Sequence, residues 1–172
     1  SESDSTMSEM PQVDIIPAGG GYSLITTTPV GNVGAGEDNL ITQSIPATTL
    51  NIAGAGVKTK IWGTTANNAA TKTVKIYAGA TAILTVTMTI SQASVWYAEV
   101  SLIATGASTQ RYGVFFQEIG TVGQTQAATG TLTETATAAI VMKATGTATS
   151  NNDIQATLME TTALDGRSLV IQ

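Results

Sequence analysis

From Tyr22 onward the chain runs in short stretches in which apolar and polar residues alternate, and clusters of Gly, Asn and Pro separate the stretches. Alternation at period two is the signature of a half-buried β-strand, because successive side chains leave opposite faces. In Ala82–Ile90, Leu84, Val86, Met88 and Ile90 share one face while Thr85, Thr87 and Thr89 share the other. In Val95–Ala104, Trp96, Ala98, Val100 and Leu102 oppose Tyr97, Glu99 and Ser101. In Lys72–Tyr77, Val74 and Ile76 oppose Thr73 and Lys75.

This pattern predicts strands at Tyr22–Thr27, Asn39–Ile45, Val57–Thr64, Lys72–Tyr77, Ala82–Met88, Val95–Ala104, Arg111–Ile119, Gln126–Thr133, Ala138–Thr145 and Ile154–Thr161. Ser168–Ile171 is a candidate closing strand. Helix is the rival reading of Val95–Ala104, but Val95, Tyr97 and Val100 are poor helix formers. In Asp153–Ala163, Ile154, Ala156 and Leu158 follow period two, which again favours a strand. About ten short strands at this spacing predict an all-β, antiparallel two-sheet sandwich or barrel.

Residues 1–21 do not share this texture. They read SESDSTMSEMPQVDIIPAGGG. Pro11 and Pro17 break regular structure, and Gly19–Gly21 makes a flexible joint. One reading is a disordered terminus. The other is an extended arm that docks on a neighbouring subunit through Val13, Ile15 and Ile16. The expected organisation is therefore an acidic arm over 1–21 and a β-sandwich domain over 22–172.

Composition narrows the chemistry. The 172 residues include no Cys and no His. That excludes a Cys/His zinc site, a Cys nucleophile, a Ser-His-Asp triad and a haem ligated by His or Cys. Charged residues make up 11% of the chain against about 25% in ordinary domains. The net charge is −5, and residues 1–14 hold most of it in Glu2, Asp4, Glu9 and Asp14. The remainder carries eight acidic and seven basic side chains. A nearly neutral body lacks the basic face that nucleic acid requires, so no nucleic-acid partner is expected. No run of 18 apolar residues occurs, so no membrane-spanning helix is expected.

Threonine occurs 31 times and supplies the polar face of many strands. Uncharged outward faces imply that part of the surface is covered in the working state, by self-association or attachment to a lattice.

The glycine-rich stretches Gly19–Gly21, Gly31–Gly36 and Gly54–Gly56 match neither phosphate-binding spacing and open no predicted helix, so they read as turns. Glu37, Asp38 and Asn39, like Asn151, Asn152 and Asp153, lack calcium-loop spacing and read as turn residues. Glu99, Glu118, Glu134 and Glu160 are the carboxylates a glycosidase would need, but no aromatic cleft surrounds them in sequence. No catalytic, cofactor-binding or metal-binding residue is expected. Trp62 shares parity with Lys58 and Lys60 and should lie outward. With Tyr112 it is the candidate surface-interaction aromatic.

The stretch VGNVGAGEDNLITQSIPATTL (Val30–Leu50), then KTKIWGTTANNAATKTVKIYAG (Lys58–Gly79), then NNDIQATLMETT (Asn151–Thr162) resembles virion structural proteins of tailed bacteriophages. The carrying patterns are G-x-G-E-D-x-L, I-P-A-x-T-L and W-G-T-x-A-N-N-x-x-T-K-x-V. They are turn and strand chemistry, with no catalytic signature. The resemblance implies a jelly-roll-like sandwich of about 8–10 strands, used as a capsid decoration (cement) protein or in a fibre. With the arm added, it implies a non-enzymatic homo-oligomer, dimer or trimer, on the capsid exterior of the virion. Its partners would be the major capsid protein and copies of itself. The alternative is a fibre or spike module that binds a host cell-surface glycan.

Overall fold

The computed structural model describes residues 23–89, 91–120 and 122–164. The arm residues Val13, Ile15 and Ile16 and the strand expected at Ser168–Ile171 lie outside the described residues. The described chain is all-β. Its strands are β1 Ser23–Thr26, β2 Val30–Gly31, β3 Glu37–Ile45, β4 Gly56–Thr65, β5 Lys72–Ala78, β6 Thr81–Met88, β7 Ser94–Gly106, β8 Thr109–Ile119, β9 Thr125–Leu132, β10 Ile140–Thr147 and β11 Ile154–Ala163. Eleven strands exceed the expected 8–10. The addition without a counterpart in the sequence pattern is β2, whose two residues are too few to show alternation.

Two antiparallel sheets pack face to face. One has the order β1-β11-β4-β7-β8-β9, with β2 also paired to β11. The other has the order β3-β10-β5-β6. The chain crosses between sheets at β2 to β3, β3 to β4, β4 to β5, β6 to β7, β9 to β10 and β10 to β11. This is jelly-roll-like connectivity, in which sequence neighbours build opposite layers. β1 and β2 line the same edge of β11 and are interrupted around Pro29, which has no N–H to give to a ladder.

The core lies where the inner faces meet. Trp96, Ala98, Val100 and Leu102 of β7 point in, as alternation predicts, against Val74 and Ile76 of β5 and Val86 and Met88 of β6. Trp96 stacks on Phe116, with centroids 5.9 Å apart and planes at 18°. Each such side chain contributes about 1.5–3 kcal/mol by leaving water. Gly63 permits the Trp96 packing. A Cβ there would lie 2.1 Å from the indole ring, so the W-G-T stretch of β4 needs its glycine for close approach.

Four register shifts occur, and besides the one at the end of β7, beyond Ala104, three change which side chains face inward. In β6, pairing moves from Ile76↔Leu84 to Tyr77↔Ala82, so the extra residue Ile83 is buried beside Leu84. In β3, a shift against β10 buries both Leu40 and Ile41. In β11, pairing jumps from Ala156↔Gly63 to Leu158↔Trp62. Leu158 therefore leaves the inward row of Ile154 and Ala156 and stands half-buried beside Trp62. This corrects the simple period-two reading of that segment.

One polar device crosses the core. Gln43 of β3 accepts a hydrogen bond from the Thr161 hydroxyl of β11, and Thr161 also pairs with Thr59 of β4 at 2.8 Å. The Gln43 amide reaches Thr26 of β1 at 3.4 Å. Buried polar groups are tolerable when partnered, and this set ties both sheets together on the β1–β3 flank.

Candidate functional site

The oxygen-rich loops gather at one end of the sandwich and spend their polar atoms on one another. Asn32 is fully buried. Its amide donates to the carbonyls of Gly34 (2.9 Å) and Ser150 (2.8 Å), and its oxygen accepts from the Ile154 N–H (3.0 Å). Asp153 accepts from Asn68 (2.5 Å) and from the Ser150 N–H (2.8 Å). Lys72, also buried, donates to the carbonyls of Asn68 and Ala70 and to the Asn68 side chain, all within 3.0 Å. Burial pushes the Lys72 ammonium below its ordinary value, and the nearby Asp153 charge partly restores it. Burial also opposes ionisation of Asp153, but the Ser150 N–H, the Asn68 amide and the Lys72 charge together hold its carboxyl low. Among the described residues no cluster of acidic side chains could hold a metal ion.

The four carboxylates weighed as glycosidase candidates are dispersed. Glu118 is buried and accepts from the Ser94 hydroxyl and the Gly123 N–H, which fixes the loop between β8 and β9. Glu134 sits over the Gly79–Ala80 turn and accepts from the Ala80 N–H at 3.2 Å. Gly79 has φ +59°, and a Cβ there would collide with the Glu134 carboxylate. Glu99 and Glu160 point outward on the larger sheet, flanking Lys60 in one register row. The Tyr97 hydroxyl, then Lys58, holds Glu99 below the usual carboxylate range, which suits an anion rather than a general acid.

The outer face of the six-strand ladder is chemically mixed. Trp62 of β4 lies there half-buried, on Tyr97 of β7, with ring centroids 4.4 Å apart. Tyr97 donates to Glu99 at 2.7 Å, and Lys58 pairs with Glu99 at 3.0 Å. Tyr112 is placed differently from the expectation of an outward aromatic. It shares the inward parity of Val114 and Phe116 on β8 and packs against the core, its ring covering Gly130 of β9. The outward aromatic of β8 is Phe115, 41% exposed. The adjacent Phe115–Phe116 pair guarantees one outward ring, but only the parity of Val114 decides which.

Around Phe115 three strands form a register grid. Glu99 and Ser101 of β7 lie opposite Phe115 and Gly113 of β8, and these lie opposite Ala127 and Thr129 of β9. They line an open depression of about 260 Å³.

The two flanks of the sandwich differ. On one, Pro29 interrupts the β1–β2 edge and Glu37 and Asp38 charge the start of β3. On the other, β6 and β9 are the edge strands among the described residues, and they contain no charged residue and no proline. Among the described residues, side-chain ties between the sheets there run from Gln124 Nε2 to the Thr87 carbonyl and from the Ala80 N–H to the Glu134 carboxylate, each at 3.2 Å.

Neither family models nor curated protein sequences yield a match to this chain.

Proposed function

We propose that this chain is a non-enzymatic structural protein of a bacteriophage virion, a capsid decoration protein that acts by self-association and by docking of its N-terminal arm on the shell. The observation that carries the self-association is the β6–β9 flank. Exposed edges present unpaired N–H and C=O groups, and proteins that work alone blunt them with charge or proline. Here two uncharged edges lie on one side, and threonines face outward along both. A surface of this kind is at rest when another copy covers it. The resemblance of Val30–Leu50, Lys58–Gly79 and Asn151–Thr162 to phage virion proteins supplies the setting. The functional carboxylates of the body are committed to loops or to neighbouring cations, which supports a structural rather than a catalytic role. A lattice contact of this kind stabilises the assembled shell by mass action, since it exists only in that state.

The test pairs two variants in a capsid-binding assay. Thr85→Glu with Thr131→Glu places charge on both free edges, opposite Lys75 and Arg111 in register. The double variant should fold normally, lose self-association and decorate expanded capsids poorly. Deletion of residues 1–21 should leave self-association intact and lower occupancy on capsids. Unchanged occupancy in both variants would overturn the reading.

A further inference from the structure

Glycine inside a strand weakens it, and it persists where something needs the space. Most strand glycines of this protein have a visible reason inside the molecule. A Cβ would meet Asn152 at Gly31, Ile103 at Gly56, Trp96 at Gly63, Tyr112 at Gly130, and Ile154 and Leu40 at Gly146. Gly113 differs. It lies in the middle of β8, a Cβ there would meet nothing within 4 Å, and its φ is not in the left-handed region. Neither backbone conformation nor intramolecular packing calls for glycine at this position. What its missing side chain creates is the floor of the depression on the outer face of β7, β8 and β9.

We infer that this depression binds one neutral pyranose ring of a glycan, a role beyond assembly, at a site centred on β8 that adjoins the open β9 edge. Four features fit that ligand. At about 260 Å³ the space lies just below the usual range for small-molecule pockets, about 300–1,000 Å³, which suits a single ring. Ser101 and Thr129 lie opposite Gly113 on either side, so hydroxyls form both walls. Glu99 adds carboxylate lone pairs for sugar hydroxyl donors, and Lys58 balances its charge at 3.0 Å, so the site asks for no charge on the ligand. Phe115, 41% exposed, offers an apolar aromatic surface for the C–H face of a pyranose. An apolar side chain from another protein would cover the Ser101 and Thr129 hydroxyls without offering them a partner, whereas a polyol satisfies them. Beyond Glu99, at the next outward position of β7, Tyr97 and Trp62 extend the surface toward a second sugar.

The experiment is saturation-transfer NMR with calorimetric titration of the full chain. The probes are the methyl glycosides of glucose, galactose, mannose and N-acetylglucosamine. At least one should bind with a dissociation constant on the order of 1 mM. Gly113→Val fills the depression with a good strand former, so it should weaken binding at least about tenfold while leaving the melting temperature unchanged or higher. Phe115→Ala should weaken binding by a smaller factor. No binding of any of the four glycosides at about 10 mM would overturn the inference. So would equal binding by wild type and Gly113→Val. A change of oligomeric state in Gly113→Val, without glycoside binding to the wild type, would overturn it too and assign the depression to a second copy.

Discussion

The two flanks of the sandwich solve the problem of a sheet edge in opposite ways. Along β1, β2 and β3 the edge is interrupted at Pro29, charged at Glu37 and Asp38, and stitched to the opposite sheet by Gln43, Thr161 and Thr59. The neighbouring loop end is closed by Lys72, Asn68 and Asp153, which bond in a chain, and by Asn32, which bonds the backbone of Gly34, Ser150 and Ile154. Along β6 and β9 there is no charge and no proline, and the backbone edges are free among the described residues. The guarded flank is built from interactions that a single chain completes. On the open flank the β6 and β9 edges carry no such guard among the described residues, which is the basis of the proposed self-association. That difference is the reason for assigning the contact surface of the proposed assembly to the β6–β9 side.

The strongest way to sharpen this contrast is to damage the guarded side. Asp153→Ala would remove the acceptor of the Asn68 amide and the Ser150 N–H, and the negative charge that supports the buried Lys72 ammonium. Urea denaturation should register a loss of about 3–5 kcal/mol, as for a buried ion deprived of its counter-charge. Self-association measured below the unfolding transition should be unaffected, because the variant does not touch β6 or β9.

The open flank should behave in reverse. In Thr85→Glu with Thr131→Glu, folding stability should stay within about 0.5 kcal/mol of wild type, as for surface substitutions generally. Self-association, read by sedimentation or light scattering, should weaken about 100-fold, equivalent to about 2.8 kcal/mol. If the double variant associates as tightly as wild type, the open flank is not the contact surface and the comparison fails.

A smaller effect is expected from the charge that guards β3. The Glu37 carboxylate accepts from Lys75 at 2.6 Å, Thr145 at 2.7 Å and Tyr77 at 2.9 Å. These contacts, Lys75 first, lower its pKa from 4.5 to about 2. A depressed carboxyl stabilises the fold fully above its unfolded value, and the contribution disappears as pH falls through the folded value. Wild type should therefore lose stability between about pH 4.5 and pH 2, and Glu37→Gln should flatten that part of the acid limb. The same curvature in both proteins would show that Glu37 is not the group responsible.

The smallest effect belongs to the core. The Thr65 hydroxyl is buried without a hydrogen-bond partner. Thr65→Val keeps the shape and removes the unpaired group, so thermal unfolding should show neutrality or a gain of up to about 1 kcal/mol. A loss greater than that would mean the hydroxyl has a partner.

Much of this architecture is legible in the alternation of the sequence. Trp96, Ala98, Val100 and Leu102 face inward as the pattern requires, and Trp62 lies outward with Lys58 and Lys60. The misreadings occur where parity shifts without a signal in composition. Leu158 turns outward because β11 inserts Thr157, and Ile83 turns inward because β6 bulges against β5. Tyr112 turns inward because it is in phase with Val114 and Phe116, a relation present in the sequence but masked by two adjacent phenylalanines. Asn151, Asn152 and Asp153 read correctly as turn residues, yet nothing in their spacing reveals that Asp153 meets Asn68 and that Asn32 spans both loops.

Local chemistry by itself determined that this is an all-β chain, with strands wherever branched and apolar residues alternate and with turns at Gly, Asn and Pro. It also removed the chemistry that depends on Cys and His. The tertiary structure alone decided which strands became edges, because edge position depends on pairing across distant segments rather than on any one strand's composition. It alone showed that Gly113 supports no internal contact, since a glycine's reason lies in its neighbours in space. Sequence fixes what each residue can offer to a partner; the jelly-roll-like crossing of the chain between two sheets selects the partner.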